Sequence, residues 1–419
     1  MDRLVVMMFA ACTLSAQPAL VYVKAGKLLD VRSGMTLVNQ GIVIRGERIE
    51  KVGNAAQVTA PAGAQVIDWS ASTVLPGLID MHTHLTGDPR FHGYRSLGIS
   101  IPREALYGAT HARTTLNAGF TTVRNVGAGA YTDVALRDAV NDGELPGPRM
   151  MVSGPALGIT GGHCDDNLLP PHYNHREDGV ADGPWGVRTK VREVVKYGAD
   201  VIKICASGGV LSKGDQPGTQ QYTLEEMQAI AEEAHKLGRK VAAHAHGTEA
   251  IKAAIRAGVD SIEHASLIDD EGIRLAKQHG TFLVMDIYND DFILSQGEKM
   301  GMLPESIEKE RMIGQLQREN FRKAYQGGAR HAFGSDSAVY PHGDNAKQFS
   351  YMVKYGMTPI EAIRAATLNA AELMGWSGDI GALEPGKFAD LIAVDGDPLQ
   401  NVTVLERVRA VMKRGRVVH

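Results

Sequence analysis

Cysteine is scarce in this chain of 419 residues, which contains only Cys12, Cys164 and Cys205. Three cysteines cannot form the framework of a disulfide-rich secreted domain, and no CxxC motif is present. Cys164 and Cys205 are therefore expected to be small buried residues rather than nucleophiles.

A strong charge of either sign is also missing, and aromatic residues are few. The net charge is −4 at pH 7, the pI is near 6.4, and aromatic residues make up 6% of the chain. Such a balance gives no reason to expect nucleic acid or an anionic membrane surface as the main partner. Beyond the N-terminus, no apolar stretch reaches the ~20 residues that span a bilayer.

The N-terminus has the pattern of a secretory signal peptide over residues 1–19. Arg3 precedes an apolar run over residues 4–14, and small residues follow it. Asp2 and the bulky Leu14 depart from that pattern. The alternative is a first strand or an irregular N-terminus. The pattern predicts a periplasmic or secreted protein, and the alternative predicts a cytoplasmic one.

The middle of the chain, residues 73–377, alternates short apolar strands with longer amphipathic helices. Stretches such as LEEMQAIAEEAHKLG carry apolar residues at three- and four-residue spacing, as helices do. Eight strand–helix units over such a length are the signature of an α/β fold, the TIM-like (β/α)8 barrel. The candidate strands lie in STVLPGLIDMH, FTTVRNV, PRMMVSG, ADVIKICA, KVAAHAH, SIEHAS, TFLVMDI and ARHAFGSDS.

The two ends of the chain read differently, as short strands rich in Val and Ile with turns between them. Neither end has enough strands to be stable alone. We therefore expect residues 20–72 and 378–419 to pair into one small β-sandwich domain beside the barrel.

Metal-binding types of side chain stand at the ends of the predicted strands, where the active sites of such barrels lie. His82 and His84 end the first strand, and because strand residues i and i+2 share a face, both imidazoles can reach one metal ion. The other candidates are Lys203 in the fourth strand, His244 and His246 at the end of the fifth, His264 at the end of the sixth and Asp336 at the end of the eighth.

Each of these residues alone has a structural explanation. A single histidine at a strand end is more often a hydrogen-bonded core residue than a ligand, Lys203 could be ion-paired, and Asp336 could cap a helix. Their joint placement around one predicted barrel is what indicates a metal centre.

At this point the sequence resembles the amidohydrolase superfamily. The motifs LPGLIDMHTHL, ADVIKI, AAHAHG, SIEHAS and AFGSDS occur in the order of that family, and LEPGKFADLIAVDGDP resembles its returning C-terminal β-segment. The resemblance spans nearly the whole chain. It implies a barrel with a flanking β-sandwich and a binuclear metal centre at the barrel mouth.

The resemblance also implies a role for each ligand. His82 and His84 would bind the more buried metal together with Asp336, and His244 and His264 would bind the more exposed one. Lys203 would carry an N6-carboxyl group from CO2 that bridges both ions. Its apolar neighbours support this, because desolvation favours the neutral amine that reacts with CO2. Imidazole and carboxylate ligands suit Zn2+, with manganese or cobalt as substitutes.

The expected reaction is hydrolysis of a C–N bond by water that the metals activate. Asp336 would take the proton of that water and pass it to the leaving nitrogen. His246 shares a strand face with His244, and we expect it to donate a hydrogen bond to the substrate or the developing oxyanion rather than to bind metal. The alternative for His246 is a purely structural role.

Two further segments resemble the branch of imidazolonepropionase-like enzymes and Xaa-Pro and Xaa-Arg dipeptidases, which includes ochratoxin-hydrolysing amidases. His163 lies in GPALGITGGHCDDN, and Tyr222 follows the Lys203 strand. The resemblance implies that both contact the substrate. It implies hydrolysis of dipeptides or N-acyl amino acids, with ochratoxin A, giving ochratoxin alpha and phenylalanine, as a candidate substrate. Relatives are homo-oligomers up to octamers, so a homo-oligomer is expected here.

Other readings remain beside this one. A cyclic amide hydrolase of the imidazolonepropionase type is the alternative function. A deaminase of the superfamily usually lacks the carbamate lysine, so Lys203 argues against it. A non-catalytic scaffold would have lost ligands, and none is missing. Arg330 and His331 are further candidates for binding a substrate carboxylate, although both could lie at the bottom of the barrel. Asn125 replaces a frequent aspartate after the second strand.

Overall fold

The structure is a computed structural model that describes residues 19–419. The predicted signal peptide therefore lies outside the described residues, apart from its last position. The strands are β1 Leu20–Asp30, β2 Met35–Arg45, β3 Arg48–Asn54, β4 Gln65–Pro76, β5 Leu78–Thr83, β6 Phe120–Asn125, β7 Arg149–Val152, β8 Val201–Cys205, β9 Lys240–Ala245, β10 Ser261–His264, β11 Phe282–Val284, β12 Leu391–Val394, β13 Val408–Lys413 and β14 Arg416–Val417.

Most of the helices lie between the central strands. They are α1 Ile101–Asn117, α2 Thr132–Asn141, α3 Gly183–Lys196, α4 Leu224–Lys236, α5 Thr248–Ala257, α6 Asp270–His279, α7 Asn289–Met300, α8 Pro304–Gln326, α9 Lys347–Lys354, α10 Pro359–Arg364 and α11 Ala370–Met374. Within residues 19–419, none of them combines the length and the apolar character that crossing a bilayer requires.

Strands from both ends of the chain share one seven-stranded sheet, in the order β14-β13-β12-β4-β1-β2-β3. β4 joins the two halves, because it runs parallel to β1 and antiparallel to β12. It continues to Pro76, beyond the boundary expected at residue 72. Apolar side chains from both ends, such as Val23, Ile42 and Leu391, form one buried cluster on this sheet. The two-layer sandwich stays a prediction, since the topology gives a single sheet.

The central strands form two parallel sheets, β5-β6-β7 and β8-β9-β10-β11. Every residue of β5 and β8 is buried, as expected where helices cover a parallel sheet on both faces. The prediction of mixed α/β structure with parallel strands is confirmed, and seven of the eight predicted central strands are present.

The eighth predicted strand, over residues 329–337, is not a regular strand. It nevertheless lies between β11 and β5, because His331 bridges to Leu283 and the Asp336 amide donates to the His82 carbonyl oxygen at 2.7 Å. Left-handed backbone at Asp336 (φ 55°) and at Ala338 (φ 109°) turns the chain there and interrupts a continuous ladder. On the other side, Leu157 bridges to Ile204 of β8.

Local sequence signals explain where the covering helices begin and end. Thr223 and Glu226 form a reciprocal capping box at the start of α4, in which Glu226 Oε2 accepts the Thr223 amide at 2.8 Å. Gly258 ends α5 in the left-handed conformation (φ 94°) that glycine adopts without strain. The predicted helices on either side of the fifth central strand are thus present as α4 and α5.

Helices α7 and α8 pack against each other and against two loops at the carboxyl ends of the central strands. Ile293 of α7 and Ile313 of α8 join Val210 and Val339 in a separate buried apolar cluster. The sequence leaves open whether this segment is a lid or an oligomer contact. In the structure, residues of both helices line the cavity described next.

Candidate metal centre and active site

A cavity of about 350 Å³ opens at the carboxyl ends of the central strands. Its position agrees with the general placement of active sites in parallel barrels. Of the candidate site residues named from the sequence, all except Tyr222, Arg330 and His331 line it. These are His82, His84, His163, Lys203, His244, His246, His264 and Asp336.

Asp336 contacts His82, which belongs to β5, and His84, which follows that strand. Its Oδ1 lies 3.3 Å from His82 Nε2 and 3.2 Å from His84 Nε2. Burial works against ionisation, but the surrounding imidazoles of His82 and His84 outweigh it and hold the pKa of Asp336 well below its ordinary value. Asp336 therefore stays a carboxylate, the form that binds a metal or accepts a proton.

A second group of ligand atoms is centred on His264. Ligand atoms of His244, His246 and His264 all lie within 4.8 Å of one another, and those of His82, His264 and Asp336 do so as well. The His264 ring lies 4.6 Å from both the His244 and the His246 ring, centroid to centroid. His246, which we expect to be a hydrogen-bond donor, is thus as close to this group as the predicted ligand His244.

In each imidazole, one ring nitrogen lies next to a protein oxygen on the side away from the cavity. The other ring nitrogen is left for the cavity. Nδ1 of His84 lies 3.2 Å from the Gly127 carbonyl oxygen, and Nε2 of His244 lies 3.3 Å from that of Gly208. Nδ1 of His246 lies 2.7 Å from Ser266 Oγ. Contacts of this kind fix the ring orientation of metal-binding histidines.

Carboxylates lie behind two other rings, where Asp286 forms a hydrogen bond with His264 and Glu263 only lies close to His82, and neither carboxylate was predicted from the sequence. Glu263 Oε2 lies 3.2 Å from His82 Nδ1, while its Oε1 accepts from Arg124 Nη2 at 2.7 Å. Asp286 Oδ1 lies 2.8 Å from His264 Nδ1. A charged residue inside an apolar strand, such as Arg124, signals a buried partner and could have been used to find Glu263.

The state of the rings follows from these surroundings. Burial lowers the pKa of His244 and His246, and burial together with the Lys203 charge lowers the pKa of His82. These rings are neutral, which is the form that binds metal ions. Burial also acts on His264, but Asp286 raises its pKa above the ordinary value.

Backbone strain is concentrated at the same place. His264 (φ 68°), Ala265 (φ 49°) and Asp336 (φ 55°) all adopt left-handed conformations that side chains other than glycine rarely take. Such outliers persist where the surrounding structure requires them, and they cluster at functional sites. Here they turn the chain at the ends of β10 and of the eighth strand segment.

Lys203 of β8 is buried among these groups. Desolvation lowers the pKa of its amine to about 8, although Glu263 and Asp336 act in the opposite direction. Within the part of the chain that the structure describes, Lys203 forms no ion pair. A buried amine that ionises less readily than usual fits the reactive lysine expected from the sequence.

The cysteines depart from the sequence prediction. Cys164 and Cys205 form a disulfide, with Cα atoms 5.9 Å apart, rather than two separate buried thiols. The bond ties the loop after β7 to the end of β8, and both residues line the cavity. The sequence could not show this pairing, because the two positions are 41 residues apart and only the fold brings them together.

Three candidate substrate contacts are not at the cavity. Tyr222 is fully buried, and its hydroxyl donates to the Ala181 carbonyl oxygen at 3.0 Å. Arg330 pairs with Glu372 and covers the Phe282 ring. The nearby His331 is buried with Nδ1 on the Ala329 carbonyl oxygen. The structure therefore corrects the substrate-binding prediction for Tyr222, and gives Arg330 and His331 structural contacts.

Asn125, which departs from the family pattern, supports the segment that follows β5 and does not line the cavity. Its Oδ1 accepts the Leu85 amide at 2.7 Å, and its Nδ2 donates to Asp133 Oδ2 at 3.2 Å. The substitution of amide for carboxylate therefore preserves a buried hydrogen-bond acceptor below His84.

The donor set fits divalent metal ions. The cavity brings together five imidazoles, one carboxylate and a buried lysine. Imidazole nitrogen and carboxylate oxygen are typical zinc ligands. Their outer nitrogens are engaged in the manner that metal-binding histidines require.

Comparison with known proteins agrees with this site. The model of the amidohydrolase family matches residues 73–418, and the chain belongs to this family. An ochratoxinase of Aspergillus niger is 36% identical, over 96% of this chain and 86% of its own length. A crystal structure of a Xaa-Pro dipeptidase with bound methionine superposes with a TM-score of 0.88, at 38% identity over 96% of this chain and 100% of that one. An imidazolonepropionase of Geobacillus kaustophilus is 25% identical, over 96% and 94% of the two chains.

The family resemblance drawn from the motifs is therefore confirmed, as is the prediction of a hydrolase acting on amide bonds. Metal dependence is general in this family, and the clustered histidines and Asp336 are candidate ligands for it.

Proposed function

We propose that this chain is a binuclear metal-dependent amidohydrolase that cleaves the amide bond of dipeptides or N-acyl amino acids. The observation that carries the proposal is the convergence of His82, His84, His264 and Asp336 on one cavity, with each imidazole oriented from behind. We also propose that the two parallel sheets close into a (β/α)8 barrel through the bridges at Leu157 and residues 331–337, with the terminal sheet as a β-sandwich.

The proposed metal sites use the residues expected from the sequence. His82, His84 and Asp336 would hold one divalent ion, and His244 and His264 the other. Lys203 would bridge them after its neutral amine attacks CO2, which forms an N–C bond, releases one proton and leaves a carboxylate. Two divalent ions, preferably Zn2+, would supply Lewis acidity that lowers the pKa of water and polarises an amide carbonyl.

The side chains of the protein carry the proton transfers. Water adds to the amide carbon, and Asp336 accepts the proton that this water loses. Asp336 then delivers the proton to the amide nitrogen, the C–N bond breaks, and a carboxylic acid and an amine result. His246, with Nδ1 held by Ser266, is left with Nε2 for a hydrogen bond to the substrate.

The wall of the cavity supports an apolar side chain in the substrate. Phe91, Val210, Leu211, Ile293 and Val339 line the side formed by α7 and the loops. Such a surface favours an apolar residue such as phenylalanine at the scissile bond. Together with 36% identity to an ochratoxinase, this supports ochratoxin A as a candidate substrate.

The test is amide hydrolysis by protein loaded with zinc, with and without a chelator. The panel contains N-acyl-phenylalanine, Xaa-Phe, Xaa-Pro and Xaa-Arg dipeptides, ochratoxin A and a cyclic amide. We expect release of phenylalanine that the chelator abolishes. Hydrolysis of a cyclic amide alone would instead support the alternative, an enzyme of the imidazolonepropionase type. No hydrolysis of any member by protein with two bound metals would refute the proposed function.

We further propose that the protein is exported and forms a homo-oligomer. The disulfide between Cys164 and Cys205 supports export, because structural disulfides persist in oxidising compartments. Mass determination of the secreted protein tests both: a mature chain that begins near residue 19 and a mass of several subunits are expected.

A further inference from the structure

Lys309 of α8 is a buried lysine that forms no hydrogen bond with the candidate metal ligands. It is 4% exposed, and its ammonium donates hydrogen bonds to three oxygens of the segment after β8. Nζ donates to the Ser212 carbonyl oxygen at 2.7 Å, to Asp215 Oδ1 at 2.8 Å and to the Gly209 carbonyl oxygen at 3.2 Å. A buried charge is tolerated only with such partners. Lys309 therefore holds one loop, residues 206–216, against α8.

Asp215 uses both of its oxygens inside this loop. Oδ1 accepts from Lys309 and from Ser212 Oγ, the latter at 2.6 Å. Oδ2 accepts the Gly209 amide and Gln221 Nε2, each at 3.1 Å. A carboxylate with four donors acts only as an acceptor. The Ser212 hydroxyl must therefore give its proton to Asp215.

This fixes the hydrogen bond between Ser212 and His163. A hydroxyl has a single proton, and here Asp215 receives it. Ser212 Oγ, which lies 2.8 Å from His163 Nδ1, must then accept a proton from that nitrogen. His163 consequently carries its proton on Nδ1, and Nε2 is the nitrogen left for a substrate in the cavity.

The rest of the His163 environment keeps the ring in this position. The backbone amide of His163 donates to Gln221 Oε1 at 3.0 Å, and the next residue, Cys164, is in the disulfide with Cys205. A Cβ on Gly209 would lie 2.2 Å from the ring, so the chain passes directly against it. The ring stacks on His244, with centroids 4.1 Å apart and planes at 21°.

We propose that Lys309, Asp215 and Ser212 are positioning residues that hold His163 as a substrate-binding group with its proton on Nδ1. The proposal rests on the proposed function for its kinetic test, because hydrolysis reports substrate binding. None of the three touches the candidate metal ligands through a hydrogen bond, so metal content should not depend on them.

A double-mutant cycle between Ser212 and His163 tests the chain of contacts. We expect Ser212→Ala to raise KM about tenfold, because it leaves a buried donor without a partner, and to leave kcat nearly unchanged. His163→Ala should raise KM at least as much. If Ser212 acts through His163, adding Ser212→Ala to His163→Ala costs nothing more. If the two substitutions instead raise KM by independent factors that multiply in the double variant, the proposal is overturned.

Lys309→Met is the second variant, with Lys252→Met as its matched control. Lys252 is also a buried, ion-paired lysine, but it lies on α5 with Glu249, Asp269 and Glu271. We expect the Lys309 variant to raise KM about tenfold, Lys309→Arg to restore it in part, and the Lys252 variant to keep the KM of the wild type. Equal KM in both methionine variants would contradict the proposal.

A readout that needs no activity completes the test. In protein labelled with 15N-histidine, the ring signals of His163, identified by their loss in His163→Gln, should show the proton on Nδ1. Ser212→Ala should abolish that fixed pattern. A proton on Nε2 in the wild type would refute the assignment even if hydrolysis is observed. Absence of hydrolysis together with a proton on Nδ1 would instead refute the proposed function alone.

Discussion

At the scale of single residues, the site depends on partners that stand behind the ligands. Glu263 illustrates this, because one carboxylate contacts His82 Nδ1 and also pairs with the buried Arg124 guanidinium. Asp286 likewise contacts Nδ1 of His264. Both carboxylates face Nδ1 of their ring, so that Nε2 is the nitrogen left for the cavity.

Replacing Lys203 tests the proposed bridge. We expect Lys203→Ala to abolish hydrolysis and to lower the metal content below two ions per chain, because the carboxylate that joins both ions is lost. Added short-chain carboxylate should restore part of the activity. Metal analysis by mass spectrometry and the hydrolysis assay measure this, and a variant with full activity and two ions would exclude the bridge.

Glu263→Gln tests the support of His82. The amide keeps the shape of the side chain but removes the charge that faces the ring, and changes of this kind typically cost 10–100-fold in metal affinity. Competition with a chromogenic chelator measures that affinity. Glu233→Gln is a control, since Glu233 is a buried carboxylate that pairs with Arg192 away from the site. Equal affinity in both variants would show that Glu263 has no such role.

At this scale the sequence predicts the candidate ligands, and the structure brings them to one cavity, but the sequence does not reveal the side chains behind them. Strand alternation places His82 and His84 on one face, so the pair is readable from the sequence. The partner of His264 lies 22 residues further along the chain, and only the packing of β10 beside β11 brings Asp286 to it. Tyr222 shows the reverse error, since its position suggested the substrate while its hydroxyl is used inside the loop.

At the scale of elements, α8 places an ionisable side chain, Glu310, at the cavity, and Glu310 is not one of the proposed metal ligands. Glu310 lines the cavity and is 4% exposed, and within the described residues it makes no ion pair. Its helix passes close to Asp290, where a Cβ on Gly314 would lie 2.4 Å from the Asp290 carboxyl carbon and 2.7 Å from Glu310 Oε1. Burial first, and then Asp290, raise the pKa of Glu310 from 4.5 to about 8.

This shift predicts a pH dependence of stability. A carboxyl whose pKa is raised in the folded state stabilises fully below its unfolded pKa, and that contribution is lost as the pH rises through the folded value. The free energy of unfolding should therefore fall between pH 4.5 and about 8 because of Glu310. Glu310→Gln should remove this part of the decline and be more stable than the wild type at pH 9.

Urea denaturation at pH 6 and pH 9 measures this difference. Glu319→Gln is the matched control, because Glu319 is an exposed residue of the same helix. If Glu310→Gln and Glu319→Gln lose the same stability between these two pH values, the carboxyl of Glu310 ionises normally and the argument from burial is wrong.

The elements show which part of the fold the sequence could predict. The periodicity of LEEMQAIAEEAHKLG and its Thr223 cap mark α4 correctly, because local propensity and burial agree there. ARHAFGSDS reads as a strand, but strain at Asp336 breaks the regular pairing. The conflict between the local pattern and the structure falls at a candidate metal ligand, and conflicts of this kind are expected at functional sites.

At the scale of the whole molecule, one disulfide joins two segments that are far apart in sequence and that both line the cavity. The disulfide between Cys164 and Cys205 closes a loop of 41 residues that includes α3. Cross-links over loops of this length typically stabilise a fold by about 2–4 kcal/mol. The bond also holds the residue next to His163, so it connects stability with the shape of the cavity.

Reduction should therefore weaken the fold. We expect dithiothreitol to lower the Tm of the wild-type protein by about 2–5 °C, because a loss of about 2–4 kcal/mol is divided by the large unfolding entropy of a chain of this length. The double variant Cys164→Ser, Cys205→Ser should start from the lower Tm and not respond to dithiothreitol. Differential scanning calorimetry measures both. An equal Tm for wild type with and without dithiothreitol, after thiol titration has confirmed reduction, would rule out a stabilising disulfide.

The central claim is that His82, His84, Lys203, His244, His264 and Asp336 form a two-metal site that hydrolyses amides. Its most direct test is a titration of metal-free protein with Zn2+, in which bound metal and release of phenylalanine from an Xaa-Phe dipeptide are followed together. The account predicts that no hydrolysis occurs without metal and that activity reaches its maximum at two ions per chain. Full hydrolysis by metal-free protein, or saturation at one ion per chain, would contradict it.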